Sequence, residues 1–174
     1  DGSGSYVVVF LDRSDNHYPV AQVRHILIKA VADSDGSYTD KAKEIAKNRA
    51  EEILAEFNAG DKTEDSFAEL AKDYSEDTGS AENGGLYDTV YKGATVEEFD
   101  KFCFEGHKKG DTAIVYGESS SYAGYHVMYY VGEGDLYSNL LAKNDLVNTT
   151  VSQWVEDQVN ALTVTTGWWL RIAG

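Results

Sequence analysis

Three shortages narrow the possibilities for this 174-residue chain before any motif is considered. Cysteine occurs once, at Cys103, which excludes an internal disulfide and a cysteine-ligated zinc site. An isolated thiol on an apolar helix face belongs to the core. Basic side chains number 15 against 30 acidic ones, a formal charge of −15. Phosphate contacts need clustered Lys and Arg, so the balance argues against nucleic acid as a partner and against charge-driven binding to an anionic membrane. It suits a protein that stays soluble among basic or unfolded chains. Apolar runs are short, none near the roughly 20 residues of a membrane helix. An initiator Met and a signal peptide are also missing, and "DGSGS" reads as a linker or a cut end. The expectation is a fragment of a mature or longer protein with its targeting signal out of view.

What is present describes a soluble globular protein: 42% hydrophobic and 26% charged residues, in a length that suits one ordinary domain or a small one with extensions. "SYVVVFLD" (5–12) and "VAQVRHILIKA" (20–30) read as strands. An acidic loop leads to a helix over 40–59, with Ala42, Ile45, Ala46, Ala50, Ile53, Leu54 and Phe57 as its apolar stripe and Gly60 as its cap. A second helix covers 64–74, with Phe67, Leu70, Ala71 and Tyr74 inward. The stretch 75–85 is an ordered loop or a short turn. "TVEE" predicts a third helix with Thr95 as N-cap and Glu98 completing a capping box. Strands follow at 111–116 and 124–134, then a helix over 138–160 and a strand-like end, "LTVTTGWWLRIAG". The order predicts an α+β fold, an antiparallel-biased sheet of about four strands surrounded by helices. Three segments are expected: 1–20 as an N-terminal strand segment, 21–134 as the main domain, and 135–174 as a C-terminal helix and strand.

Two strands carry a histidine where Val, Ile or Leu would be usual: His25 in "VRHILIK" and His126 in "GYHVMYYV". Alternation places His25, Leu27 and Lys29 on one face and Ile26 and Ile28 on the other. One such residue is ordinarily a core histidine with local partners. Two, each in the middle of a strand of one small domain, pose a more specific problem.

The blocks "VRHILIK", "FAELAKDYSEDTGSAENGGLY", "FDKFCF", "KKGDTAIV" and "GYHVMYYVGEG" together resemble the parvulin family of peptidyl-prolyl cis/trans isomerases, over about residues 22–134. The nearest relatives this suggests are extracytoplasmic foldases of Gram-positive bacteria, usually lipid-anchored, whose parvulin domain is flanked by segments from both chain ends. The resemblance implies that His25 and His126 are the paired histidines, and that Asp77 holds the position that is Cys or Asp in the family. It implies a proline pocket that includes Leu86 and Phe99. Thr95 stands where the family usually has Met, and Ala123 where a small polar residue is frequent. The basic loop of the phosphate-selecting branch is replaced by an acidic one with Asp33, Asp35 and Asp40. The pair of histidines would then lie on neighbouring strands, one ring donating and the other accepting, so that each satisfies the other.

The chemistry implied needs no cofactor and no metal, because rotating an X-Pro amide breaks no bond; its barrier is about 18–20 kcal/mol. An apolar pocket that grips the Pro ring favours the twisted, less charge-separated state, and a carboxylate near the carbonyl would disfavour the planar one. The implied partners are proline-containing unfolded or secreted polypeptides, with a membrane reached only through an anchor absent from this chain. A chaperone-like binding module with weak or no isomerase activity is the alternative. Calcium binding is a distant third: Asp33, Asp35, Ser37 and Glu44 fall at EF-hand positions, but Tyr38 stands where that loop needs Gly.

Overall fold

The computed structural model describes residues 14–162, and contacts divide these into two units, Tyr18–Leu136 and a second that holds the last helix. The strand expected at 5–12 and the strand-like end beyond Leu162 lie outside the described residues.

The larger unit is α+β. Its strands are β1 (Pro19–Lys29), β2 (Leu86–Val90), β3 (Thr112–Glu118) and β4 (Ala123–Leu136), and its helices are α1 (Asp40–Ala59), α2 (Glu64–Tyr74) and α3 (Glu97–Phe104). The sheet has the order β2-β1-β4-β3, antiparallel throughout. The two sequence-distant strands, β1 and β4, therefore sit side by side at its centre. Alternation divides their side chains between two cores. Ile26, Ile28 and Val127 pack with Ala50, Ile53, Phe57 and Phe67 of α1 and α2. Val23 and Met128 pack on the other face with Phe99, Phe102 and Cys103 of α3. Burial pushes the Cys103 thiol up to about 12, so it sits in that core as a neutral, apolar group.

Helix ends follow from their sequence. Thr39 caps α1 by accepting from the Ala42 N–H, and Thr63 and Ser66 form a reciprocal capping box on α2. At the far end of α1 the Gly60 N–H donates to the carbonyls of Glu56 and Phe57. Ile45 departs from the expected stripe and is 60% exposed. The buried line runs through Ala46, Ala50, Ile53 and Phe57, and Ile45 stands about 100° around the helix from Ala46.

The start of α3 also differs from expectation. Its N-cap is Val96, with no side-chain cap, and Thr95 lies outside the helix. Glu98 pairs instead with Lys101, at 2.7 Å. Asp100 Oδ1 accepts from the Gly93 N–H at 2.8 Å and ties the preceding loop to the helix, which makes a threonine cap unnecessary.

In the second unit, α4 (Tyr137–Ala161) has no buried residue. Leu146, Val151, Trp154 and Val159 of this helix are all exposed.

Candidate active site

The site grows from the centre of the sheet. Leu27 pairs with His126 and His25 with Met128, so the two histidines are diagonal neighbours that project from the same face. Both are buried, and their Nδ1 atoms are 3.1 Å apart. Residues 75–77 lie along the part of β1 beyond its pairing with β2. The Glu76 N–H donates to the Leu27 carbonyl at 2.8 Å and the Leu27 N–H to Ser75 Oγ at 3.1 Å. This clamp delivers Asp77 to the other ring nitrogen, with Oδ2 3.0 Å from His25 Nε2. Ser80 and Tyr87 converge on the same oxygen: Ser80 Oγ–H donates at 2.5 Å and Tyr87 O–H at 3.0 Å. At the opposite end, Tyr122 O–H lies 3.0 Å from His126 Nε2.

With both rings neutral, these contacts fit one proton arrangement only. The Asp77 carboxylate accepts, so His25 carries its proton on Nε2 and offers Nδ1 as an acceptor. His126 must then donate from Nδ1, and its Nε2 accepts from Tyr122. The Ser80 oxygen, 3.2 Å from His25 Nε2, receives a share of that proton while its own goes to Asp77. Every hydrogen in the chain from Tyr122 to Asp77 points toward the carboxylate.

The titration behaviour follows from this layout. The bond from His25 holds the Asp77 carboxyl well below the usual carboxylate range, against the cost of burial, with help from Ser80. Burial lowers His126 to about 3, reinforced by the neighbouring His25 and opposed by Asp77. Tyr87 is raised to about 12, first by burial and then by the adjacent Asp77 charge. Its hydroxyl stays protonated and remains a donor.

Above the imidazoles lies a cleft of about 350 Å³ lined by His25, Tyr87, Ala94, Thr95, Val96, Phe99, Tyr122 and His126. Phe99 stands edge-on to both imidazoles, with ring centroids 5.3 Å from each. Among the described residues no Lys or Arg lines the cleft. Thr95 Oγ1 is buried with no hydrogen-bond partner among the described residues, so the surface Thr95 gives the cleft is carbon.

Residues 8–131 match the PPIC-type PPIase domain. The chain belongs to that family. It is 31% identical over 159 residues to foldase protein PrsA 3 of Bacillus anthracis, covering 87% of this chain and 48% of that protein. It is 36% identical over 139 residues to foldase protein PrsA of Staphylococcus aureus strain Newman, covering 80% of this chain and 40% of that one. The chain thus spans about half the length of the curated relatives it matches. Among solved structures it is similar to peptidylprolyl isomerase (PrsA) from Bacillus anthracis, with a TM-score of 0.49 at 25% identity over 87% of this chain and 64% of that one.

Within this PPIC-type domain, the fold gathers His25, His126, Thr95 and Phe99 around one cleft. Two other expected site residues are placed differently. Asp77 is bonded behind His25 and is not among the lining residues. Leu86 does not line the cleft either: it pairs with Arg24, whereas its neighbour Tyr87 pairs with Val23 on the His25 face. One step along a strand changes the face. Tyr87, Val96, Ser80 and Tyr122 were not anticipated. Tyr87 could have been found by alternation from Val23, and Ser80 by its place three residues after Asp77 in a tight turn. Tyr122 had no such signal, because it reaches His126 from the β3–β4 connection. The glycines of "ENGGLY" are explained by space. Gly85 has φ +68°, and a Cβ there would come within 2.1 Å of the His25 carbonyl oxygen.

Proposed function

We propose that the protein is a peptidyl-prolyl cis/trans isomerase that assists the folding of secreted proteins, working without a covalent step and without selecting phosphorylated substrates. The observation that carries this reading is the apolar cleft set directly over a fully partnered polar chain. Phe99, Val96 and the carbon surface of Thr95 suit the ring of a substrate proline. Desolvation there favours the twisted amide over the planar, charge-separated one. His25 and His126 form the floor, held rigid because each ring nitrogen has a partner. Asp77 is a positioning residue, which fixes the His25 tautomer from behind. An X-Pro peptide needs no cofactor for this reaction, and the route involves no nucleophile.

The lack of Lys and Arg among the described residues of the cleft lining supports the lack of phosphate selection, as do Asp33, Asp35 and Asp40 in the 30–40 loop. Isomerisation rates on paired Ser-Pro and phosphoserine-Pro peptides test it. Acceleration of the unphosphorylated peptide, with no gain from the phosphate, is the expected result. Preference for the phosphopeptide would overturn it.

A second reading is a chaperone-like binding module with weak turnover. It is favoured by one observation: three donors take up the Asp77 charge away from the cleft, which weakens any direct field on a bound amide. Tight binding of X-Pro peptides with no acceleration would select it. Both readings go with an extracytoplasmic setting, at the cell surface on an anchor carried by the full-length protein. Fractionation of the producing cells would check this. Among the described residues no helix is long and apolar enough to cross a membrane.

A further inference from the structure

We propose that the groove between α1 and α2 is a second docking site for polypeptide, selective for basic segments that carry an apolar residue. The groove, of about 410 Å³, opens between the end of α1 and the outer side of α2. Its floor is carbon, from Phe57 and Leu70, and its rim carries Glu56, Asp61, Glu69 and Asp73, with no Lys, Arg or His lining it among the described residues. Among the described residues only Glu69 of these four has a cationic partner, Lys72 at 2.7 Å. The end of α1 adds to the same sign. Its carbonyl terminus carries partial negative charge, and no basic residue stands in its last turn to offset it.

The occupant is identified by what this surface repels and what it leaves unsatisfied. Anionic lipid and nucleic acid are repelled. A second copy of a chain with net charge −15 would bring more negative charge to the same place. A bound metal ion is a poor match, since no group of three or more His, Cys, Asp or Glu converges to hold one among the described residues. The carboxylates are instead strung along an apolar trough. The complement is an extended chain with Lys or Arg side chains spaced around an aliphatic anchor, the latter seated on Phe57 and Leu70.

Phe57 belongs to the core with Ile26 and Ile28, on the face of the sheet opposite His25. A chain held in the groove therefore leaves the cleft free. The inference rests on the proposed function only in taking the ligand to be polypeptide. For a long client the two contacts act together, and the second raises the local concentration of proline segments near the cleft.

The test uses the full chain and a proline-free peptide, Lys-Leu-Lys-Leu-Lys, followed by amide chemical shifts and calorimetry. Shifts are expected at Phe57, Gly60, Ser66 and Leu70, with binding that weakens as salt rises. The double reversal Asp61→Lys with Asp73→Lys should weaken binding roughly tenfold. The same variant should keep the wild-type rate on short X-Pro peptides. Leu70→Ser should weaken binding while retaining the helical spectrum. The proposal fails if no shifts occur, if they centre on His25 and His126, if the reversed variant binds like wild type, or if Glu-Leu-Glu-Leu-Glu binds equally well. Groove binding beside an inert cleft would sink the isomerase reading alone. An active cleft without groove binding would sink this one alone.

Discussion

On one side of the central strands, Ile26, Ile28 and Val127 meet Ile53 and Phe67 in aliphatic and aromatic packing. On the other side, one residue along, His25 and His126 meet Asp77, Ser80, Tyr87 and Tyr122 in a chain of hydrogen bonds. Both faces are buried, but they are stable for different reasons. The first gains from every apolar area removed from water, and partial repacking can recover part of a loss. The second gains little net energy from each bond yet loses heavily if one is left unmade. A polar face of this kind is a costly place to look for stability and a suitable place to hold a rigid, preorganised floor under a substrate.

The comparison is broken most forcefully on the aliphatic side. Phe67 is fully buried between Phe57 and Tyr129, and Phe67→Ala should cost about 3–5 kcal/mol in urea unfolding. Isomerisation per folded molecule should persist, because Phe67 faces away from the cleft. Loss of turnover in a folded Phe67→Ala protein would mean that the two faces are not separable.

On the polar side, His25→Ala or His126→Ala strands the other ring with an unmade bond, at about 1–3 kcal/mol. Stability should fall at least as visibly as activity. A variant with the wild-type melting curve and no turnover would make these histidines chemical rather than architectural.

Acid provides a smaller, graded perturbation. Asp77 and His126 both have folded values below their unfolded ones, so each adds stability above its unfolded pKa, about 3.9 and 6.5 respectively. That stability is lost as pH falls toward the folded value. For His126 the window runs from about 6.5 down to about 3, with Asp77 adding to the loss below about 3.9. Denaturant unfolding at stepped pH should show a decline already between pH 6.5 and 5, above the ordinary carboxylate range. A flat profile there would contradict a buried neutral His126.

The smallest effect is expected at position 95. Thr95 caps no helix and its buried hydroxyl has no partner among the described residues, so Thr95→Val should leave stability unchanged or raise it by up to about 1 kcal/mol, with turnover retained. Thr95→Met then tests the pocket alone: a gain in rate without the loss of a cap. A drop in melting temperature for the valine variant would mean that the hydroxyl has a partner after all.

How much of this was readable beforehand divides along the same line. Helices α1 and α2 were legible to the residue, because amphipathic spacing and Gly60 are local signals. The polar face was legible only where two strands carried the same anomaly, at His25 and His126, and where five blocks together resembled a family. Leu86 was misplaced by one residue because its strand is short and its register is set by pairing with β1. Thr95 was misread because "TVEE" satisfies a capping rule that the loop anchored by Asp100 makes redundant. Tyr122 could not be assigned by periodicity, because it lies in the connection between β3 and β4, off both strands. The contact of Ser80 with His25, 55 positions away, is long-range and leaves no periodic trace in the sequence.

The central claim is that the polar face with its apolar cleft speeds rotation about X-Pro bonds. Exchange spectroscopy on a short unphosphorylated X-Pro peptide, with the protein at substoichiometric concentration, addresses it most directly. The free peptide interconverts over tens to hundreds of seconds. The account predicts cis–trans exchange peaks that appear with the wild-type protein and fade in Phe99→Ala. Saturable binding of the peptide at the cleft with no change in its exchange rate would contradict it.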